Sequence, residues 1–155
     1  MDNEKATTSS FVLTLPMQCE LWQSKYLDKV FRVAGNMYNN LVSDRLKELR
    51  QMENSCEWRF LQSIIVKTLE QQKQKATNNK DNDAKEILKL FYSKKKDLLS
   101  SHGFSEYAFQ ARIQKWRAHH KTLVGTHVAQ KIASAVWSKF QDYFYGSGKE
   151  ISFCP

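Results

Sequence analysis

A long tract of this sequence carries positive charge and no acidic residue to offset it. Between Glu106 and Asp142 there is no Asp or Glu, whereas basic and imidazole side chains recur throughout. They are Arg112, Lys115, Arg117, His119, His120, Lys121, His127, Lys131 and Lys139. Ammonium and guanidinium groups bind phosphate oxygens, and a guanidinium group does so in a bidentate manner. Apolar residues are interleaved with these charges, so the tract can fold with its charge on one side. We therefore predict that it binds a polyanion.

The other reactive residue types do not predict catalysis or a metal site. The histidines lack a carboxylate or thiol partner at ligand spacing, and adjacent side chains on a helix point in different directions. The cysteines form no Cys-x-x-Cys pair. The glycines form no phosphate-cradling loop, and no Ser or Cys lies in a nucleophile elbow. We therefore expect no catalytic residue, no metal ion and no cofactor.

The chain as a whole is basic. Its 155 residues have a formal net charge of +8 and an isoelectric point near 9.4. Phosphate is the commonest dense negative surface in a cell, so this balance favours nucleic acid as the partner. A hydrophobic content of 41% suffices for one domain with a packed core. The polar N-terminus has no secretory signal, and no apolar stretch reaches membrane-spanning length. We expect a cytoplasmic protein with no membrane partner.

Two stripes of opposite character run along the first predicted helix, residues 21–52. The apolar stripe recurs at the spacing of a core-facing helix. It consists of Leu27, Val30, Phe31, Ala34, Tyr38, Leu41, Val42 and Leu49. The opposite stripe is polar and contains no acid. It consists of Lys25, Lys29, Arg32, Asn36, Asn40, Ser43, Lys47 and Arg50.

Four further helices follow in the predicted chain. The first covers residues 56–75. The second covers residues 83–99, after a turn-rich loop in which Asp81 or Asp83 can cap it. The third is capped by Ser105, and the fourth starts near His127. Their apolar faces follow from the same periodicity. In chain order these faces are Trp58, Leu61, Ile65, Thr68 and Leu69; Ala84, Ile87, Leu88, Phe91 and Leu98; Phe109, Ile113, Trp116 and His120; and Val128, Ile132, Val136, Phe140 and Tyr143.

Short strands are predicted at both ends of this helical body. After a polar leader at 1–10, residues 11–16 alternate in the manner of a strand that Pro16 ends, and residues 149–155 form the second. Because a lone pair of strands is only marginally stable, we expect further strands beyond Pro155. The predicted organisation is thus a leader, a strand at 11–16, a helical domain at 20–146 and a returning strand at 149–155.

Candidate nucleic-acid-binding residues come from the polar faces of these helices. They are Lys25, Lys29, Arg32, Asn36, Asn39, Lys47, Arg50, Lys85, Lys89, Arg112, Lys115, Arg117, His119, Lys121, Gln130, Lys131 and Trp137. Cations suit phosphates, amides suit base edges or phosphates, and Trp137 suits base stacking. An ordinary solvated face is the competing explanation for the cations, and a partly buried boundary position for Trp137. A solvated face normally mixes Glu with Lys at helical spacing, however, and the first helix lacks that mixture.

Three segments in order resemble the N-terminal part of the transposon-encoded OrfB (TnpB) RNA-guided nucleases and the related type V CRISPR effectors. These segments are KYLDKVFRVAGNMYN at 25–39, HVAQKIASAVWSKF at 127–140 and GKEISF at 148–153. The resemblance implies a mainly α fold in which about five helices form a bundle-like recognition lobe. Two short strands from an incomplete wedge β-barrel would bracket the lobe.

The resemblance implies that guide RNA and target DNA are the partners, with the protein gripping the backbone of the guide–target duplex. The RuvC nuclease domain and the zinc ribbon of the family have no counterpart here, so this chain is expected to be no enzyme. It is then a fragment of an RNA-guided DNA endonuclease or a short relative that retained binding. Two alternatives stay open: a free-standing helical bundle that docks a protein partner, and a cleavage-dead RNA-guided DNA-binding regulator.

Overall fold

The protein is mainly α-helical. A computed structural model describes residues 18–75, 82–146 and 150–154. The helices are α1 (Leu21–Glu53), α2 (Cys56–Lys75), α3 (Asn82–Ser101), α4 (Glu106–Arg117) and α5 (Thr126–Tyr145). The predicted leader at 1–10, the predicted strand at 11–16 and Asp81 lie outside the described residues, as does the side chain of Asp83. No described helix combines the length and the apolar character that crossing a bilayer requires.

The returning strand is not confirmed. Residues 150–154 have no regular secondary structure, and nothing in the described part of the chain pairs with them as a strand. The backbone of Cys154 is hydrogen-bonded by a side chain of α1 instead of by a second strand. The Asn39 amide donates from Nδ2 to the Cys154 carbonyl at 3.0 Å and accepts from the Cys154 backbone N–H at 2.8 Å. This two-point contact fixes the segment against α1, and Ile151 is buried there.

Polar caps set where the helices begin. Ser55 turns the chain between α1 and α2, since its hydroxyl donates to the Met52 carbonyl at 2.6 Å and accepts from the Trp58 backbone N–H at 3.2 Å. Ser105 accepts from the Ala108 backbone N–H at 3.3 Å, which confirms the predicted cap of α4. Each cap satisfies a backbone N–H that the first helical turn leaves without an intrahelical partner.

Gly103 ends α3 and reverses the chain into α4. Its φ of +74° is the left-handed conformation, which costs a residue with a Cβ more than it costs glycine. The Phe104 N–H bonds the Leu99 carbonyl at 2.8 Å and the Gly103 N–H bonds the Ser100 carbonyl at 3.0 Å. Together these bonds make a Schellman motif, and its apolar contact is formed by the buried Leu99 and Phe104. The turn thereby delivers Phe104 into the core.

Aromatic rings form the centre of the core. Phe104 lies 5.3 Å from Phe144 and 5.8 Å from Phe140, measured between ring centroids. Phe109 of α4 lies 5.3 Å from Phe140 in an edge-on arrangement. Such tilted and edge-on pairs are the favoured geometries for aromatic rings. The cluster therefore joins the end of α3 to α4 and α5.

The buried face of α5 is rotated from the predicted one. The structure buries Ala129, Ala133, Val136, Phe140 and Phe144, whereas Val128 is 47% exposed. The prediction for Val128 was wrong because it placed the larger Val128 in the core in preference to the neighbouring Ala129. Alanine on a helix face lets a neighbouring helix approach closely, and α4 fills that space with Phe109 and Ile113.

The apolar stripe of α1 is buried only along part of its length. Buried positions begin at Met37, and Phe31 is 68% exposed, contrary to the prediction. The cause is length. With 33 residues α1 is about 50 Å long, whereas the 20 residues of α5 span about 30 Å. A helix as short as α5 cannot cover the apolar stripe along the whole of α1.

A buried lysine, which the sequence analysis did not identify, sets the face of α3. Lys95 is only 8% exposed and donates from Nζ to the Phe144 carbonyl at 3.1 Å. Its ammonium lies 5.3 Å from the Trp58 ring centroid and 5.6 Å from that of Tyr145. It thus caps the C-terminal end of α5 within an aromatic enclosure. Burial lowers the pKa of Lys95. With Lys95 and Leu99 turned inward, Ile87 is 44% exposed, so its predicted core position was wrong.

The Gly103→Ala variant should lose about 1 kcal/mol of unfolding free energy, because alanine disfavours the left-handed conformation. A Cβ at this position would also lie 3.2 Å from Nη1 of Arg45. Urea denaturation followed by circular dichroism measures the change. Gly35→Ala is the matched control, since a Cβ there meets nothing within 4 Å and alanine favours the helix interior. That variant should gain stability, and equal effects of the two substitutions would contradict the assignment.

Candidate nucleic-acid interface

The polar stripe of α1 lies exposed in the structure. Lys25, Lys29, Arg32, Asn36, Asn40, Lys47 and Arg50 all face solvent. They recur at three- and four-residue spacing, which keeps them on one side of the helix. The structure adds one acid that the stripe omitted: Asp28 lines a shallow depression together with Lys25, Lys29 and Arg32. The stripe is therefore acid-poor, with one exposed carboxylate at its border.

A small cavity joins this stripe to the end of α4. It has a volume of about 210 Å³. Its lining consists of Val33, Asn36, Met37, Asn40, Trp116, His119 and His120. Amide and imidazole groups surround an indole here, which provides donors and acceptors for phosphate or sugar oxygens. We call the exposed stripe of α1 together with this cavity the α1–α4 surface.

One carboxylate fixes α4 against α1. Arg112 forms a bidentate pair with Asp44, with Nε 3.0 Å from Oδ2 and Nη2 2.7 Å from Oδ1. The same carboxylate accepts from Arg45, whose Nε and Nη2 lie 3.1 Å and 2.6 Å from Oδ2. Arg45 is buried beneath this contact, with its guanidinium 5.9 Å from the Phe109 ring centroid. Asp44 thus joins two guanidinium groups from two helices.

This pairing changes the role expected of Arg112. Its guanidinium was predicted to bind phosphate, but the Nε and Nη2 donors of that group are already bonded to Asp44. Arg112 instead lies over Trp116, 5.9 Å from the ring centroid, and so orients the indole that lines the cavity. Arg112 therefore positions α4 and Trp116, and only its Nη1 side is left for a ligand.

The charges of the cluster are mutually stabilised. Burial by itself raises the pKa of Asp44, but hydrogen bonds and charge from Arg112 and Arg45 outweigh that effect and hold the pKa below its ordinary 3.8. The bonded carboxylate correspondingly raises the pKa of Arg112. Asp44 therefore stays ionised wherever the protein is folded near neutral pH.

The loop between α4 and α5 uses a second predicted binding residue. Arg117 donates from Nε to the Val124 carbonyl at 3.3 Å, and Val124 is fully buried. The Tyr26 hydroxyl donates to the Thr122 carbonyl at 3.4 Å, which ties the loop to α1. Exposed groups beside this loop are Lys115, His119 and Lys121. Of these, His119 lines the cavity and so belongs to the α1–α4 surface.

The remaining predicted residues fall into two groups. Asn39 is held by Cys154, as described above, and Trp137 packs on Phe109 at 5.3 Å between ring centroids. Gln130 is half-buried. Lys131 of α5 and Lys85 and Lys89 of α3 are exposed but lie outside the α1–α4 surface. The structure thus brings Arg32, Asn36 and His119 toward one region and places the lysines of α3 elsewhere.

Sequence reasoning missed the residues that organise the surface. Asp44 and Arg45 stand next to each other in a polar part of α1, and nothing in the sequence pairs them with Arg112 far along the chain. Trp116 and His120 were assigned to the apolar face of α4, yet both are half-buried and line the cavity. Of the residues that line the cavity, Asn40 could have been found from the sequence, because it belongs to the predicted polar stripe of α1. Among the described residues no group of His, Cys, Asp and Glu is arranged to hold a metal ion.

The Asp44→Asn variant should lose about 2 kcal/mol of unfolding free energy, because Arg45 stays buried without its charged acceptor. Folding lowers the pKa of Asp44, so its stabilisation is fully present above pH 3.8 and is lost as pH falls through the lower folded value. Thermal unfolding between pH 6 and pH 2 should show this loss in the native chain and not in the variant.

Asp28→Asn supplies the control, since Asp28 is an exposed carboxylate on the same helix. Its unfolding curve should follow that of the native chain at each pH. If the midpoint of thermal unfolding changes with pH in the same way in the native chain and in Asp44→Asn, ionisation of Asp44 does not stabilise the fold.

Comparison with known proteins returned no relative. No family model, no curated protein and no solved structure matches this chain. The function must be argued from the chemistry of the chain itself.

Proposed function

We propose that this chain binds the phosphate backbone of a nucleic-acid duplex through the α1–α4 surface. The observation that carries the proposal is the exposed, acid-poor stripe of α1. From Lys25 to Arg50 it extends along about 37 Å of a single helix. Its cations form two groups, Lys25, Lys29 and Arg32 at one end and Lys47 and Arg50 at the other. Cations that neutralise phosphates release counterions, which is the main source of sequence-independent affinity.

The positive charges of the stripe destabilise α1 if the stripe serves only as a solvated surface. Like charges three or four residues apart on a helix repel one another, and two such pairs are Lys25 with Lys29 and Lys47 with Arg50. Asp28 offsets only the N-terminal part of the stripe. Further along α1, Asp44 is bonded to two arginines and Glu53 accepts from the Tyr143 hydroxyl at 2.7 Å, while Glu48 is half-buried. A bound polyanion relieves the repulsion that remains.

The composition of the surface favours backbone over base recognition. Lysine and arginine side chains act on phosphates, and the cavity offers amide and imidazole groups suited to sugar hydroxyls or phosphate oxygens. An A-form duplex presents both kinds of group across a wide, shallow minor groove. We therefore assign the surface to an A-form RNA–DNA or RNA duplex.

The sequence resemblance narrows this proposal to a recognition module of an RNA-guided DNA-targeting nuclease. In that assignment the helices grip guide RNA and the guide–target duplex, and two short strands connect them to a wedge barrel. Base pairing would then read the sequence while this chain reads shape and charge. The support for this narrower statement is the three similar segments together with the basic stripe.

A second candidate function rests on exposed apolar side chains. Trp22 is 65% exposed, Phe31 68% and Phe60 63%. Aromatic side chains are enriched where proteins bind one another. A helical bundle that docks a protein through these side chains is the alternative, and its affinity would depend little on salt.

The Lys29→Ala/Arg32→Ala variant tests the proposal in a filter-binding titration against an RNA–DNA heteroduplex at 50 and 200 mM salt. The native chain should bind less tightly at the higher salt, and the variant should bind more weakly with a log–log salt slope smaller by about 2. Removing two phosphate contacts accounts for that change.

Lys67→Ala/Lys139→Ala removes the same charge from exposed positions outside the α1–α4 surface. It should retain most of the native affinity. If both double variants weaken binding equally, the chain attracts polyanions by net charge alone. If Lys29→Ala/Arg32→Ala binds like the native chain, the stripe is not the interface.

A further inference from the structure

A second surface, on the other helices, combines aromatic rings with free lysines. A groove of about 620 Å³ runs between α3 and α5. Its lining consists of Lys89, Tyr92, Ser93, Lys96, Leu99, Ser100, Phe104, Ser105, Glu106, Trp137, Gln141 and Tyr145. The volume lies within the range that proteins use for organic ligands. None of these residues belongs to the α1–α4 surface.

The groove is built from two facing stripes. On α5, Trp137, Gln141 and Tyr145 recur every four residues, so they stand one above another on the same side. On α3, Lys89, Tyr92, Ser93 and Lys96 recur at three- and four-residue spacing and form the opposite wall. Phe104 is buried, and the Schellman turn places it at the base. The groove therefore has an apolar floor with polar and aromatic walls.

The aromatic rings of the groove are accessible, and two of them are also held by contacts within the fold. Tyr92 is 41% exposed and Tyr145 54% exposed. Tyr145 is positioned by the Lys95 ammonium, 5.6 Å from its ring centroid, and Trp137 is supported from behind by Phe109. Rings that are fixed on one side and open on the other are what base stacking requires, because little further ordering is needed on binding.

The charges of the groove are segregated. Lys89 and Lys96 stand seven residues apart on one face of α3, about 10 Å along the helix axis. The acid of the groove, Glu106, is oriented by the Ser134 hydroxyl at 2.7 Å and by the Gln110 amide at 3.3 Å, both donating to Oε1. Phosphates are thus favoured along the α3 wall. Glu106 can accept from the exocyclic amine of a base.

We infer that this groove binds an unpaired stretch of nucleic acid, with bases stacked on Tyr92, Trp137 and Tyr145 and phosphates beside Lys89 and Lys96. The inference rests on the proposed function and assigns the chain a single-stranded ligand in addition to the duplex. Lys89 and Lys96 stand about 10 Å apart along the axis of α3, a separation that successive phosphates of one strand can span. Paired bases are stacked on one another and expose no ring face to the groove, so the ligand is unpaired.

Tyr92→Ala and Lys89→Ala/Lys96→Ala test the groove with this 155-residue chain. The probes are a fluorescein-labelled 12-nucleotide oligo(rA), a labelled abasic strand of the same length, and the RNA–DNA heteroduplex used above. Fluorescence anisotropy should show that Tyr92→Ala lowers affinity for oligo(rA) about tenfold. The same variant should bind the abasic strand and the heteroduplex as the native chain does. Lys89→Ala/Lys96→Ala should weaken binding to oligo(rA) and to the abasic strand alike.

Two controls match these changes. Phe60→Ala removes an exposed ring from α2, outside the groove, and Lys67→Ala/Lys139→Ala removes two exposed lysines outside it. Both should leave binding to oligo(rA) within about twofold of native. Trp137→Ala is avoided because Trp137 supports the core through Phe109.

The outcomes separate this inference from the proposed function. Loss of oligo(rA) affinity in the groove variants with unchanged heteroduplex binding supports the groove. Native-like oligo(rA) binding by both groove variants overturns it and leaves the duplex proposal standing. A native chain that binds the heteroduplex but not oligo(rA) also overturns the groove, and one that binds neither overturns the proposed function and the inference resting on it.

Discussion

The sharing of one carboxylate between two arginines is the interaction on which the candidate interface depends. Asp44 belongs to α1, Arg112 belongs to α4, and Arg45 lies buried between them. The bidentate pair fixes the rotation of α4, which sets Trp116 beside the polar stripe and creates the cavity at their junction. An ion pair of this kind defines a single arrangement of helices more than it adds to total stability. The pair thereby joins the helix that bears the basic stripe to the helix that ends at the cavity.

The basic residues of this protein perform two different tasks. Arg45, Lys95, Arg112 and Arg117 bond to groups within the fold: a carboxylate in two cases and backbone carbonyls in the others. The lysines and Arg32 along α1 extend into solvent instead. Net charge therefore overstates what is available to a ligand. The acid-free tract, which first suggested a polyanion site, contains two arginines that are engaged within the fold.

Much of the helical framework follows from the sequence, and the site follows only in part. The bounds of α2 and the Ser105 cap could be predicted because they depend on local periodicity and on a side chain bonding its own helix. The predicted burial of Phe31, Ile87 and Val128 was wrong, because burial depends on where neighbouring helices end and how closely they approach. The Asp44 cluster could not be predicted, since its partners are distant in sequence. Asn39 was assigned to nucleic acid, but its amide replaces a strand for residues 150–154.

The enclosure of Lys95 has a practical consequence for handling the protein. Its ammonium sits among aromatic rings and bonds a backbone carbonyl, so dissolved ions barely weaken that contact. The cations of α1 are in contact with solvent, where charge interactions are screened within about 10 Å at 0.1 M salt. Added salt therefore screens the cations of α1 far more than it weakens the contact of Lys95. A high-salt buffer thus weakens the charge interactions of α1 without releasing Lys95 from its enclosure.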